Sequence, residues 1–234
     1  MAEQRVLHLL SGGAAQGLVR KLQAAFEAEH GCRIEGTFGA VGMMKDRLLA
    51  GAPCDLLILT DALVADLASQ GYAVAATARP LGLVKTGVAL KQGAAQADVS
   101  SPDALKKLLQ AAPAIYFPDP GKATAGIHFM KVLGGLGLVE EVAKRLRTFP
   151  NGAAAMAALA QAAEPDAVGC TQVTEILMTP GVHLTGMLPP PHELVTTYTG
   201  AVCSQAAEAT LAVHLIAALV AGEAAATRKE CGFE

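Results

Sequence analysis

Short, almost wholly apolar runs alternate along the chain with stretches whose apolar residues recur every three or four positions. Val6–Leu10 is such a run, followed by Ser11-Gly12-Gly13 and a helical face carrying Leu18, Leu22, Ala25 and Phe26 that stops at Gly31. Ile34 to Phe38 reads as a second strand. It turns at Gly39–Gly42 into a helix with Met44, Leu48 and Leu49, and this helix ends at Gly51-Ala-Pro53. Asp55 to Leu59 is a third strand, and Thr60-Asp61 opens a helix running to Gly71. The pattern continues with a strand over Gly82–Leu90 and a helix start at Ser101-Pro102-Asp103, where a capping hydroxyl, a first-position proline and an acid stand in order. Ala114–Phe117 reads as a strand, and Thr124-Ala125-Gly126 opens a helix with Ile127 and Met130 facing inward. Helices are expected over Glu140–Arg147, 153–163, Gln172–Leu177 and Ser204–Gly222. Strands are expected over Ala167–Thr171, Val182–Met187 and Leu194–Val202.

Alternation of this kind predicts an α/β fold with mixed, mostly parallel sheets flanked by helices. No long linker separates two halves, so a two-lobed chain must cross between lobes more than once. Pro80 within Ala78–Gly82 and Pro189-Pro-Pro191 within Leu188–Leu194 mark the crossings. The expected lobes are residues 1–81 plus 193–234, and residues 82–192.

Composition narrows the function classes. At 52% hydrophobic and 17% charged the chain has ample apolar material for folded cores and no disorder signature. A net charge of −3 without a basic stripe gives nucleic-acid binding no support. The longest apolar stretch, Ala206–Val220, is interrupted by Glu208 and His214, so no membrane span is expected. Five scattered cysteines, Cys32, Cys54, Cys170, Cys203 and Cys231, make no C-x-x-C pair or zinc spacing, and an odd number leaves at least one thiol unpaired in a monomer. That usage and the short apolar run after Met1 fit a cytoplasmic protein; a periplasmic one would require a leader trimmed from the start. Neither a metal site nor a cofactor is expected.

The recurring local feature is a strand, a turn of small residues, then a helix. It occurs at Ser11-Gly12-Gly13-Ala14, at Gly39–Gly42 with Val41, at Ala123–Gly126, and more weakly at Asn151-Gly152. Each such turn points unpaired backbone N–H groups, and the positive end of the helix dipole, toward an anion. For any one turn, small residues serve the turn itself. Four of one kind favour a ligand cleft. Dinucleotide, Walker and nucleophile-elbow motifs are absent. The histidines show no ligand spacing, and His128, just inside the helix opened by Thr124, is the one placed for chemistry.

The segments Phe38-Gly-Ala-Val-Gly42 with Ala50-Gly-Ala-Pro-Cys-Asp-Leu-Leu-Ile-Leu-Thr-Asp61, and Phe117-Pro-Asp-Pro-Gly-Lys-Ala-Thr-Ala-Gly-Ile-His128 with Leu133-Gly-Gly-Leu-Gly137, resemble molybdate-binding-type substrate-binding proteins. The resemblance runs nearly the whole chain. It implies a type II periplasmic-binding-protein fold, with two lobes closing on a ligand cleft. That family uses serine hydroxyls at the first two turns and a tyrosine after a later strand. The matching positions here are about Ala14, Ala40–Gly42 and Thr171, so molybdate and tungstate are not expected ligands. Val168-Gly-Cys-Thr-Gln-Val-Thr-Glu175 and Pro180-Gly-Val-His-Leu-Thr-Gly186 resemble a divergent branch that bacterial aconitate isomerase also resembles.

Two functions are therefore weighed. In the first, the protein binds a small di- or tricarboxylate and, if exported, serves an ABC permease. Its expected ligand contacts are Ser11, Gly12, Gly13, Ala14, Val41, Gly42, Lys85, Thr124, Ala125, Gly126, Asn151, Thr171 and Gln172, with Lys85, Lys122 and Arg79 as candidate cations. In the second, a cytosolic isomerase moves a double bond of an unsaturated tricarboxylate by proton transfer, with His128, Lys122 and Glu175 as acid or base and Cys170 a remote candidate. A third class, a cytosolic sensor domain, would need a separate partner chain.

Overall fold

The computed structural model describes residues 4–234. The described chain divides into two compact units. Unit 1 takes the residues up to Leu83 together with Thr196–Glu234, and unit 2 is Val84–Val195.

Unit 1 begins with β1 (Arg5–Gly12), α1 (Gln16–His30), β2 (Cys32–Gly39), α2 (Val41–Leu49), β3 (Leu56–Thr60) and α3 (Asp61–Ser69). The chain leaves it within β4 (Arg79–Lys91), returns within β9 (Val195–Val202), and ends in α9 (Ala209–Val220) and α10 (Ala225–Glu230). Strand order is β2–β1–β3–β9. β1 is parallel to both β2 and β3, and β9 runs antiparallel to β3. Leu56, Leu57, Ile58 and Leu59 are all fully buried, which is why β3 is a continuous apolar run: helices cover both of its faces. α1 stops where Gly31 takes the left-handed φ of 59° and its N–H bonds the Glu27 carbonyl. The motif aspartate Asp55 is buried. It accepts from the His8 N–H at 2.7 Å and the Glu208 N–H at 2.9 Å, tying β1 to the start of α9.

Unit 2 continues with α4 (Pro102–Ala111), β5 (Ile115–Pro118), α5 (Thr124–Gly135), α6 (Val139–Val142), β6 (Leu146–Phe149), α7 (Gly152–Ala160), β7 (Val168–Gln172), α8 (Val173–Leu177) and β8 (Val182–Met187). β5 is parallel to β6 and β7, whereas β4 is antiparallel to β7 and β8. The Ser101 hydroxyl accepts from the Ala104 N–H at 3.2 Å, so α4 starts where its capping residues predict. Phe117, Phe129, Leu105 and Leu133 are fully buried in one core cluster of this unit.

Both units share one plan. The first strand is central, the second flanks it on one side, the third on the other, and an antiparallel strand lies beyond the third. In this scheme β5, β6, β7 and β4 stand where β1, β2, β3 and β9 do.

Three expectations are corrected. Glu140–Arg147 is not one helix: α6 ends at Val142, a single 3-10 turn follows, and Leu146–Phe149 is an edge strand beside β5. An edge strand with two exposed central residues carries too weak an apolar signal to stand out. The last helix starts at Ala209, after a turn held by Asp55, and a separate α10 follows it. In α5 the inward face is Phe129, Val132 and Leu133, with Met130 half-buried against the same core as expected, while Ile127 is 38% exposed. Gly126 sets that phase, because a Cβ there would lie 2.3 Å from the Pro118 carbonyl oxygen, so position 126 must face β5.

Candidate functional site

Parallel strands end on a common edge, and in each unit all three feed a helix there. In unit 1 the ends are Gly12, Gly39 and Thr60, followed by the starts of α1, α2 and α3. None of the three has a side-chain hydrogen bond from its cap residue to the first-turn N–H groups.

Between Gly12 and α1 the chain makes a 3-10 turn over Gly13–Ala15, with Gly13 and Ala14 buried. The Ser11 side chain is fully buried, and its hydroxyl donates to the Gly12 carbonyl at 2.9 Å. A Cβ on Gly12 would stand 2.9 Å from Val41 Cγ1 and 3.0 Å from Tyr198 Cε1, so this position has room only for glycine. Val41 is buried and Gly42 half-buried at the head of α2. Ser11, Gly12, Gly13, Ala14, Val41 and Gly42 are thus brought to one edge. Tyr198, on β9, joins them and was missed by sequence reasoning, which sought the family's tyrosine near Thr171. The only cue was an aromatic residue set among threonines in Thr196-Thr-Tyr-Thr199. At the start of α3, Thr199 Oγ1 donates to Asp61 Oδ1 at 2.8 Å.

In unit 2 the ends are Pro118, Phe149 and Gln172, followed by the starts of α5, α7 and α8. Thr124, Ala125 and Gly126 open α5 without a side-chain cap. The preceding turn is closed by Asp119 Oδ1, which accepts from the N–H groups of Gly121 at 2.6 Å and Lys122 at 3.0 Å. α7 is different, because Asn151 Oδ1 accepts from the Ala154 N–H at 2.8 Å. Glu175, buried on α8, also sits over this helix start. Its carboxylate accepts from Thr171 Oγ1 at 2.6 Å and from the backbone N–H groups of Gly152, Ala153 and Gln172. A Cβ on Gly152 would fall 1.9 Å from Glu175 Oε2, so glycine is what admits the carboxylate. Burial pushes the Glu175 carboxyl above its usual range. Thr171 and the three backbone donors pull it back, without cancelling that shift.

Gln172 is 2% exposed. Its Oε1 accepts from Thr86 Oγ1 at 3.5 Å, and its Nε2 has no hydrogen-bond partner among the described residues. A buried amide donor without an acceptor costs stability unless something supplies one.

Other expected residues stand elsewhere. Lys85 is half-buried next to Thr86 on β4, and side chains alternate along a strand, so it faces away from the Thr86–Gln172 pair. Lys122 is exposed in the Asp119 turn. His128 Nε2 lies 2.8 Å from the His192 carbonyl, fastening α5 to the segment before β9. Arg79 is exposed and donates to the carbonyls of Ala76 and Ala78. Cys170 is fully buried, and burial raises its thiol far above the range of a useful nucleophile or base. Among the described residues the buried ionisable side chains other than cysteine are Asp55, Glu175 and Tyr198, with no lysine or arginine among them. No lysine or arginine is therefore buried at the strand-end edges, Lys122 before α5 being exposed. No cluster of three or more metal-ligating side chains occurs among the described residues, and no helix there is long and apolar enough to cross a membrane.

Comparison with known proteins matches this arrangement. A family model described as bacterial extracellular solute-binding protein matches residues 7–234. A curated relative, aconitate isomerase of a Pseudomonas species, is 25% identical over 97% of this chain and 87% of its own length. Among solved structures, the periplasmic molybdate-binding protein of Azotobacter vinelandii superposes with a TM-score of 0.80 at 19% identity, over 97% of this chain and 98% of the other. The sulfate-binding protein SubI of Mycobacterium tuberculosis superposes with a TM-score of 0.74 at 17% identity, over 98% of this chain and 86% of the other. With the model spanning both units and the strand-end plan common to them, the chain belongs to the bacterial extracellular solute-binding proteins, on a type II periplasmic-binding-protein fold.

Proposed function

We propose that the protein binds a small organic anion carrying two or three carboxylates. In this reading, backbone N–H groups at the strand-end helix starts of unit 2 hold carboxylate oxygens, and the Gln172 amide of the same unit adds a side-chain donor. The observation that carries it is Gln172 Nε2, a buried donor at the edge where β7 ends that finds no acceptor among the described residues. A carboxylate oxygen supplies what that group lacks. The uncapped start of α5, in the same unit as Gln172, adds donors of the same polarity. The molybdate- and sulfate-binding relatives by fold make an anion the natural ligand class. Serine hydroxyls are missing from the first two turns, except for Ser11, whose proton goes to Gly12. That favours a carboxylate over a tetrahedral metal oxyanion. As a solute-binding protein it would work outside the cytoplasm and deliver its ligand to an ABC permease.

A second reading is favoured by the similarity to aconitate isomerase. Here the bound tricarboxylate would lose a proton beside one carboxylate and regain one elsewhere, shifting its double bond. The helix starts would stabilise the enolate-like charge. Glu175 is the acid–base candidate whose environment favours the protonated form; His128 and Lys122 would have to act from the start of α5.

A thermal-shift series with citrate, cis- and trans-aconitate, shorter dicarboxylates, sulfate and molybdate tests both readings, because a ligand of the native state raises the melting temperature by mass action. Each stabilising compound is then incubated with protein and followed by NMR. Stabilisation by a carboxylate that stays unchanged supports the binding protein; its conversion supports the isomerase. Stabilisation by molybdate alone overturns the carboxylate assignment.

A further inference from the structure

Cys54 and Cys203 lie on either side of the sequence segment that forms unit 2, 149 positions apart, yet their sulfurs are 3.1 Å from each other inside unit 1. Both backbones are fixed. The Cys203 N–H bonds the Asp55 carbonyl at 2.9 Å, and the next residue, Ser204, bonds the Tyr72 carbonyl at 3.0 Å. Asp55, one position after Cys54, is itself buried and doubly bonded. The Cys54 thiol donates to the Leu56 carbonyl at 3.2 Å. A disulfide bond is about 2.05 Å long, so joining these sulfurs requires a closure of roughly 1 Å, within reach of side-chain rotation. The two cysteines also line a pocket of about 360 Å³ with Gly51, Pro53, Tyr72 and Gln205, through which a small oxidant can approach. Among the described residues no other cysteine has a sulfur within bonding reach; Cys32, Cys170 and Cys231 are buried singly.

We propose that Cys54 and Cys203 form an intramolecular disulfide that closes unit 1 around the point where the chain leaves for unit 2 and returns. The reaction is thiol–disulfide exchange with a small disulfide such as oxidised glutathione. One protein thiol, having lost its proton, attacks a glutathione sulfur and expels one glutathione thiol. The second protein thiol then attacks the mixed disulfide and expels the other. Two protein thiols are oxidised to one disulfide, and one oxidised glutathione is reduced to two thiols. The Cys203 thiol is held well above its ordinary acidity range by its bond to Cys54 and by burial, so exchange accelerates as pH rises. An oxidising compartment, which the family's extracellular description brings with it, favours the bond. This inference is independent of which ligand the protein binds.

The test treats the folded full chain with oxidised glutathione, alkylates the remaining thiols, and maps peptides by mass spectrometry. The expected result is loss of two of the five thiols, a Cys54–Cys203 linked peptide, and reversal by reductant. The oxidised protein should melt several degrees higher than the reduced one, since a long closed loop loses much unfolded-state freedom. Cys54→Ser or Cys203→Ser should each abolish the link, and Cys32→Ser should leave it intact. Retention of all five thiols, a glutathione adduct that never resolves, or a bond through any other cysteine overturns the proposal. The mapping of wild-type protein decides the matter even if a variant fails to fold.

Discussion

Thr171 Oγ1, near the end of β7, donates to Glu175 Oε2 on α8 at 2.6 Å, fully inside unit 2. This bond consumes the proton that a ligand-facing Thr171 would have offered to an anion. Thr171→Val should therefore act first on stability. Leaving a buried carboxylate short of a charge-assisted partner costs about 2 kcal/mol. Urea denaturation should show a lowered midpoint, and addition of ligand should not restore the full difference.

The same carboxylate gives a pH signature. Burial is the largest cause and raises Glu175 above its ordinary 4.5, while Thr171 and the N–H groups of Ala153, Gly152 and Gln172 act in the opposite sense. A raised acid keeps its proton longer in the folded chain than in the unfolded one. Between those two values the folded state binds more protons, so stability falls as pH rises from about 4.5 through the folded value. Glu175→Gln removes this contribution. Its stability relative to wild type should improve with rising pH over that window, as read from denaturation midpoints. A constant difference would show that Glu175 titrates normally.

Gln172→Leu should separate stability from binding. Leucine removes a buried donor that has no partner among the described residues, but also the acceptor of the long 3.5 Å bond from Thr86 Oγ1, so the two effects oppose and the ligand-free protein should change by no more than about 1 kcal/mol. If that donor serves the ligand, affinity for the stabilising carboxylate should fall roughly tenfold, as measured by calorimetry. Unchanged affinity would remove Gln172 from the site.

Gly126→Ala is a test of packing at the head of α5. The added Cβ would meet two backbone carbonyls, of Pro118 at 2.3 Å and Asp119 at 2.4 Å, and neither can swing aside. A loss of about 2 kcal/mol or more is expected, with α5 displaced from β5. Gly134→Ala, on the same helix with open space around it, should cost nothing and serves as the control.

Asp55→Ala should be costly for a reason unrelated to ligand. It strips the acceptors from the His8 and Glu208 N–H groups, so about 3 kcal/mol of stability should go, visible as a melting temperature lower by several degrees.

Much of the fold is legible in the sequence because it is local. The apolar runs of β1 and β3 report burial on both faces, Gly31 reports a left-handed helix end, and Ser101-Pro102-Asp103 reports a cap. Each signal involves neighbours in the chain. The edge strand Leu146–Phe149 escaped because half-solvated positions carry little apolar periodicity, and the phase of α5 escaped because it depends on the remote turn at Pro118.

The amino-acid order alone determined the alternation of strands and helices and the small-residue turns at Gly12, Val41 and Gly126. Periodicity and turn chemistry are properties of contiguous residues, so these features need no knowledge of the fold. Tertiary structure alone decided which groups are available for chemistry. It spent the Thr171 hydroxyl on Glu175 and the His128 ring on the His192 carbonyl, and it left Gln172 Nε2 without an acceptor. It also brought Tyr198 against Gly12 and Cys203 against Cys54. Hydrogen bonds and close approaches between distant segments depend on the register of β9 beside β3 and of β4 beside β7. Strand pairing sets that register between segments far apart in the chain, such as Thr86 and Gln172, and no local pattern encodes it.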